Sequence, residues 1–333
     1  MITHDYKIKL SLGELSMKKG IIIAPEDFNG LDWVEKCSAL KLDTLAFHTG
    51  GRNHDILKSL DFSFSPEFKK RCTEKNIFCE FEEHTAGVML KPELYSVHPE
   101  YFALNTNGSR EPGERTNWCI SSAGMRDLLK ENAANLARKL HSASHRYYFW
   151  SADGANSLCH CKECSRWNTA DLNLLSVNVI AEGIRQVDPQ AEVAYLAYAG
   201  SSYDVPEKVV PHEAVFLEFA PYVRRFFAAI DDPANEINRR FHDALLKLLK
   251  FFPAKRTHIL EYWLDVSLFC NHFREEMKAL PVTQEIMYRD IDFYRGLGIE
   301  NFSTFAVGMN DCYLKKFGEE RLLDYAGYLN KVL

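Results

Sequence analysis

Cys159, Cys161 and Cys164 fall within the six-residue run CHCKEC, and Trp167 follows closely. Thiols this near one another in sequence can converge on one soft cation such as zinc, which takes Cys or His ligands tetrahedrally. The spacing differs from the usual paired C-x-x-C arrangement, so a fourth ligand has to come from elsewhere. Cys119 is the leading candidate and His160 the local alternative. Four protein ligands leave no open coordination position, so such a zinc would be structural, with no metal required for catalysis. The plainer reading is a set of reduced packing cysteines or an incidental disulfide. Cys37, Cys72, Cys79, Cys270 and Cys312 stand alone and read as small apolar residues.

A second set of reactive side chains sits at the ends of short apolar runs. Glu26 closes GIIIAPE and Asp27 follows it, and His48 and Arg52 follow LDTLAF. Glu82, Glu83 and His84 close IFCEFEEH, Trp150, Ser151 and Asp153 close RYYFWSAD, and Tyr198 lies near the end of AEVAYLAYAG. Glu218 lies in AVFLEFAP, and Glu261, Tyr262 and Asp265 lie in RTHILEYWLD. Carboxylate pairs suit glycoside hydrolysis: one protonates the leaving oxygen while the other attacks the anomeric carbon or activates water. Asp153 is the expected acid and Glu261 the nucleophile or base, with Glu218 as the alternative base. His48, Arg52, Glu83, Trp150, Tyr198 and Tyr262 are the expected substrate contacts, since aromatic faces suit sugar C–H surfaces. Arg52, Arg110 or Arg224 would pair with the carboxylate of an acidic sugar. Against each stands a structural alternative: a helix cap, a salt bridge or simple packing. Alternation along a strand already separates two of them, because Glu82 shares a face with Glu80 and Glu83 with Phe81. No GxSxG nucleophile elbow is present.

The elements that would carry these residues are eight apolar runs alternating with segments of helical period, the signature of βα units around a parallel sheet. The runs begin near Gly20, Leu42, Ile77, Arg146, Ala191, Ala214, Arg256 and Asn301. Helices are expected to open at Ser65-Pro66 and at Asp232-Pro233, where a capping side chain precedes a proline suited to the first helical position. Gly296 and Gly298 should stop another helix, and only a connection through Pro206 and Pro211 follows the fifth run. Eight such units predict a (β/α)8 barrel as a single domain over 1–333, with a long insertion, 85–122, after strand three on the active-site face. In that fold catalytic residues lie at the C-terminal strand ends, which is why polar residues closing the runs carry weight. A doubly wound nucleotide-binding sheet is rejected, because the first turn, IAPEDFNG, lacks a phosphate-binding glycine pattern.

Composition narrows the function classes. The 333 residues are 46% hydrophobic and 26% charged, as in an ordinary globular protein. A formal charge of -6 argues against a nucleic-acid or anionic-membrane partner held by long-range attraction. The first 20 residues lack the apolar core of a secretory signal, and no later stretch has the roughly 18 apolar residues of a membrane span, so a cytoplasmic location is expected. Nine cysteines, an odd number, fit reduced thiols or metal ligands better than a disulfide framework.

Three segments together resemble a known family: HPEYFALNTNGSR (98–110), NWCIS (117–121) and SADGANSLCHCKEC (151–164). They resemble the bacterial domain-of-unknown-function family DUF4838, glycosidase-like barrels distantly similar to α-glucuronidases and β-N-acetylhexosaminidases. The resemblance extends to AYLAY (194–198) and to the sixth and seventh runs. It implies a (β/α)8 barrel acting on a carbohydrate. By analogy with α-glucuronidases, the acid follows strand four and the base carboxylates follow strands six and seven, matching Asp153, Glu218 and Glu261 in location. Strand four here ends in an aspartate where α-glucuronidases carry a glutamate. The tandem Asp-Glu of hexosaminidases is absent, since Gly154 follows Asp153, which disfavours substrate-assisted cleavage of an N-acetyl sugar.

Overall fold

The computed structural model describes residues 17–49, 65–113, 116–153, 158–198 and 203–333. Eight strands form one closed parallel barrel in sequence order, β1 (Lys19–Ile23), β2 (Thr44–Phe47), β3 (Phe78–His84), β4 (Arg146–Trp150), β5 (Glu192–Tyr198), β6 (Val215–Ala220), β7 (Thr257–Glu261) and β8 (Asn301–Phe305). Closure is made by β1 on β8, with Lys19 opposite Phe302 and Ile22 opposite Phe305. These strands are nearly continuous apolar runs because helices cover one face and the lumen fills the other.

Among the described residues, seven longer helices surround the barrel: α1 (Trp33–Leu40), α2 (Pro66–Glu74), α3 (Ala123–Lys139), α4 (Thr169–Arg185), α5 (Glu236–Leu248), α6 (Gln284–Gly296) and α7 (Glu320–Val332). Local chemistry starts them. Ser65, Ser122, Asn168 and Thr283 each accept a backbone N–H of the first turn through the side chain, and Pro66 occupies the first position of α2. One expected start is corrected: α5 is capped by Asn235, which accepts from Asn238 N, whereas Asp232 turns the preceding loop by accepting from Ala234 N. Between β5 and β6, residues 203–214 contain no helix. No helix among the described residues is long and apolar enough to cross a membrane.

The barrel interior is polar at its centre. Lys18, immediately before β1, is buried and donates to Glu80 Oε2 at 2.6 Å, Glu82 Oε1 at 3.1 Å and the Tyr148 hydroxyl at 2.7 Å. Gly20 makes room for it, since a Cβ there would lie 2.9 Å from Lys18 Cε and 3.1 Å from Ser303 Cβ. Contacts between non-neighbouring strands cross the lumen: Arg146 of β4 donates to Asn301 of β8 at 3.1 Å, and the Tyr148 ring meets His258 of β7 at 5.7 Å. These contacts identify the inward parity, with Glu80, Glu82 and His84 on β3, Tyr148 and Trp150 on β4, and Glu218 on β6.

Candidate functional site

The C-terminal end of the barrel is rimmed by a closed circle of rings. Phe305 meets His48 with centroids 5.2 Å apart, His48 meets His84 at 6.0 Å, and His84 meets Tyr198 at 6.2 Å. Tyr198 meets Tyr222 at 5.4 Å, Tyr222 meets Tyr262 at 5.1 Å, and Tyr262 returns to Phe305 at 5.1 Å. Trp150 joins from β4, 5.7 Å from His48 and 5.2 Å from His84. Each of these residues ends or directly follows a strand except Tyr222, two residues past β6, and all share the inward parity of their strands. His48 Nδ1 lies 2.6 Å from the Glu82 carbonyl and His84 Nδ1 2.6 Å from the Ser151 carbonyl, so each ring donates from Nδ1 and its tautomer is set. Burial, reinforced by His84, pushes His48 down to about 3, so it is neutral across the physiological range.

Two carboxylates bear on this circle. Asp153 is exposed just beyond β4, while Asp265 is buried beyond β7 and caps the short helix Val266–Phe269. Asp265 Oδ1 accepts from Ser267 Oγ at 2.6 Å and Leu268 N at 3.2 Å. Burial, opposed by these hydrogen bonds, pushes Asp265 up to about 6. Burial raises the Tyr198 and Tyr222 phenols, and the charges of both Asp153 and Asp265 raise them further. The two acids therefore share one electrostatic neighbourhood around these tyrosines.

Beneath the circle lies Glu218, fully buried, whose Oε2 accepts from Trp150 Nε1 at 2.8 Å and whose Oε1 is 3.2 Å from His258 Nδ1. The remaining oxygens of the two buried acids, Glu218 Oε1 and Glu82 Oε2, have no hydrogen-bond partner among the described residues. Burial and then the Glu82 charge drive Glu218 far above the usual carboxylate range, and burial, opposed by Lys18, pushes Glu82 up to about 7. Burial and then Lys18 hold His258 well below its ordinary value. Burial thus favours the protonated form of Glu218, which lies inside the lumen and not at the mouth.

Glu261 also differs from expectation. It ends β7 on the outward parity, between barrel and helices, and is fully buried there. It pairs with Arg224 at 3.1 Å and accepts from the Tyr294 hydroxyl of α6 at 2.8 Å. Arg224 also bridges to Asp290 at 2.5 Å, and Asp290 accepts from Trp263 Nε1 at 3.0 Å. Burial raises both carboxyls against the pull of one shared guanidinium. Arg224 is consumed in this pair and does not face a ligand. Glu83 is likewise outward: Thr49 N and Thr49 Oγ1 donate to it at 2.5 and 3.1 Å, so it anchors the segment after β2. Asp27 accepts from Ala24 N at 3.0 Å and Gly308 N at 2.9 Å and ties the β1 and β8 loops together. Arg52 lies outside the described residues.

Trp150, Tyr198, Tyr262 and His48 join the circle as inward-facing rings, whereas Tyr222 and Phe305 were missed. The signal for Phe305 was the β8 alternation through Ser303. For Tyr222 it was the aromatic two residues past β6.

Beside the mouth, Cys119, Cys159, Cys161 and Cys164 converge, all four Sγ atoms lying within 4.8 Å of one another. Cys119 comes from the insertion, where Cys119 N donates to Tyr101 O at 2.7 Å and Ala103 N to Asn117 O at 2.9 Å. His160 is exposed, and its backbone N donates to Leu104 O at 2.7 Å. Asn117 Oδ1 accepts from Ala152 N at 2.7 Å, linking the insertion to the residue before Asp153.

Several solved structures share this architecture. Gan42B, a GH42 β-galactosidase from G. stearothermophilus, superposes with a TM-score of 0.54 at 10% identity, covering 95% of this chain and 56% of its own. A β-galactosidase from the psychrophilic Marinomonas ef1 gives 0.52 at 11% identity, with 95% and 59% covered. The cold-adapted β-galactosidase from Rahnella sp. R3 gives 0.50 at 11% identity, with 96% and 56% covered. The chain thus spans less than two thirds of each of these enzymes, and the likeness is one of fold: a glycosidase-like (β/α)8 barrel. No curated protein sequence matches it. The chain belongs to the family described as Domain of unknown function (DUF4838), which matches residues 46–323.

Proposed function

We propose that this protein is a glycoside hydrolase acting on a small oligosaccharide or glycoside, with Asp153 and Asp265 as its working carboxylates. The observation that carries this reading is the continuous circle of aromatic rings at the C-terminal strand ends, with Asp153 just past β4 and Asp265 just past β7. Rings of this kind offer apolar faces to sugar C–H surfaces, and a pair of acids supplies the proton transfers that glycosidic cleavage needs. Asp265 replaces Glu261 as the partner of Asp153, and the two roles are exchanged relative to the expectation. Held at about 6 by burial, it has a proton to give near neutral pH and serves as the acid. Asp153, on the solvent side, activates water or attacks. Glu218, through Trp150, positions the floor of the site.

The test is turnover of a panel of aryl glycosides and short oligosaccharides by the wild type, Asp153→Asn and Asp265→Asn. Each substitution should lower kcat by roughly 100-fold or more, the usual worth of a positioned acid or base. A substrate turned over equally well by both variants would remove the assignment.

One observation favours a second reading. Glu218 and Glu261 are held inside the protein, which leaves few carboxylates at the mouth and suits a carbohydrate-binding barrel without chemistry. Saturable sugar binding measured by calorimetry, with no turnover and no sensitivity to Asp153→Asn, would favour that reading.

A further inference from the structure

We propose that Cys119, Cys159, Cys161 and Cys164 form a tetrathiolate site for one divalent cation of the zinc class, pinning the insertion after β3 to the loop after β4. The inference rests on sulfur geometry and is independent of the carbohydrate chemistry proposed above.

Cys119 Sγ lies 3.7 Å from Cys161 Sγ and 4.0 Å from Cys164 Sγ. A tetrahedron with metal–sulfur bonds of about 2.3 Å has sulfur–sulfur edges of about 3.8 Å. A disulfide would need about 2.0 Å, so the cluster is spaced for a central ion and not for a cross-link. With all four Sγ atoms mutually within 4.8 Å, each thiol belongs to the same centre.

The surroundings suit thiolates. Leu104 N donates to Cys159 Sγ at 3.3 Å, and the Ser121 hydroxyl lies 3.1 Å from Cys119 Sγ and 3.4 Å from Cys161 Sγ. Four thiolates around a divalent ion carry two net negative charges, and the Arg110 guanidinium stands 4.0 Å from Cys159 Sγ to offset part of them. The chain around the cluster is a tight knuckle, with Ser165 N bonded to Cys161 O at 2.9 Å and Trp167 N to Cys164 O at 3.1 Å. Four sulfur ligands select a borderline-soft ion over magnesium or calcium and leave no open position, which makes the site structural. Its reach extends to the mouth, because Cys119 is two residues from Asn117, whose side chain holds Ala152 N next to Asp153.

The experiment uses the whole chain, purified under reducing conditions and gel-filtered. Elemental analysis should find one zinc per chain. Replacement with Co(II) should give the visible ligand-field bands and near-ultraviolet thiolate charge transfer of a tetrahedral tetrathiolate. Cys161→Ser, at the least buried ligand, should lose that spectrum and retain less than a tenth of the metal, while Cys270→Ser, a buried cysteine elsewhere, should keep one equivalent. Should Cys161→Ser fail to fold, the wild type alone decides: titrating its thiols with an organomercurial should release one zinc as the fourth thiol of the cluster reacts. Folded wild-type protein that takes up neither zinc nor cobalt, a Cys119–Cys161 disulfide found by mass spectrometry, or an unchanged cobalt spectrum in Cys161→Ser would each overturn the proposal.

Discussion

Trp150 Nε1 donates to Glu218 Oε2 across 2.8 Å, so the ring that closes β4 is held over the lumen by a buried acid from β6. That bond joins the two halves of the interior. Above it lies the aromatic circle, and below it the Lys18, Glu80 and Glu82 network. A protonated Glu218 costs less to bury than an ionised one.

Stability should therefore depend on pH in a specific direction. Because Glu218 is held far above 4.5, the folded chain keeps a proton that the unfolded chain releases. Folded protein then binds more protons than unfolded, and stability falls as pH rises above about 4.5. Glu218→Gln removes this contribution. Denaturant titrations at pH 5 and pH 8 should show the variant close to wild type at pH 5 and more stable than wild type at pH 8. A deficit of equal size at both values would mean that Glu218 is ionised in the folded state. Glu82, whose own value is about 7, contributes in the same sense between about 4.5 and 7 in both proteins.

Glu261 is expected to matter for folding and not for turnover. Glu261→Ala leaves the buried Tyr294 hydroxyl and one edge of Arg224 without an acceptor, although Asp290 still balances the guanidinium charge, so it should cost roughly 1 to 3 kcal/mol in urea denaturation. Glu261→Gln, which keeps the shape, should retain wild-type kcat per folded molecule. Loss of kcat in Glu261→Gln with an unchanged denaturation midpoint would return this residue to the chemistry.

Gly20 is a packing constraint on the polar core. Gly20→Ala sets a methyl 2.9 Å from Lys18 Cε, and crowding of this kind costs roughly 1 to 3 kcal/mol. A lowered denaturation midpoint with ordinary cooperativity is the expected reading. A wild-type midpoint would show that Lys18 swings clear.

The aromatic circle makes a prediction about affinity. Tyr198→Ala and Tyr222→Ala each remove a ring from the circle and should weaken sugar binding about 10-fold or more, with little change in melting temperature because both side chains are only partly buried. Calorimetric titration with a bound sugar measures this, and unaltered affinity in both variants would place the sugar elsewhere.

If Asp265 is the acid, kcat should fall as pH rises through about 6, since the protonated form is the active one. That limb should vanish in Asp265→Asn, whose residual rate should be flat there. A limb that survives the substitution belongs to another group.

Much of this protein is local and was therefore readable along the chain. Continuous apolar runs such as KGIII and TLAF, punctuated by Ser65-Pro66 and Gly298, specify strands and helices because hydrophobic period and capping act over a few residues. Strand parity was readable as well. It separates Glu82 from Glu83, and the same rule applied to β7 shows that Glu261 and the inward Tyr262 cannot share a face. What parity cannot say is which partner an outward carboxylate meets. Arg224 and Tyr294 reach Glu261 from 37 and 33 positions away, and only the packing of helices on the barrel brings them there. The cysteine knuckle was likewise visible from its spacing, but Cys119 joins it across 42 positions through the path of the insertion. The circle of rings is the clearest case. Its members come from nearly every strand end, and they meet because closing β8 onto β1 bends a linear series of strand termini into a ring.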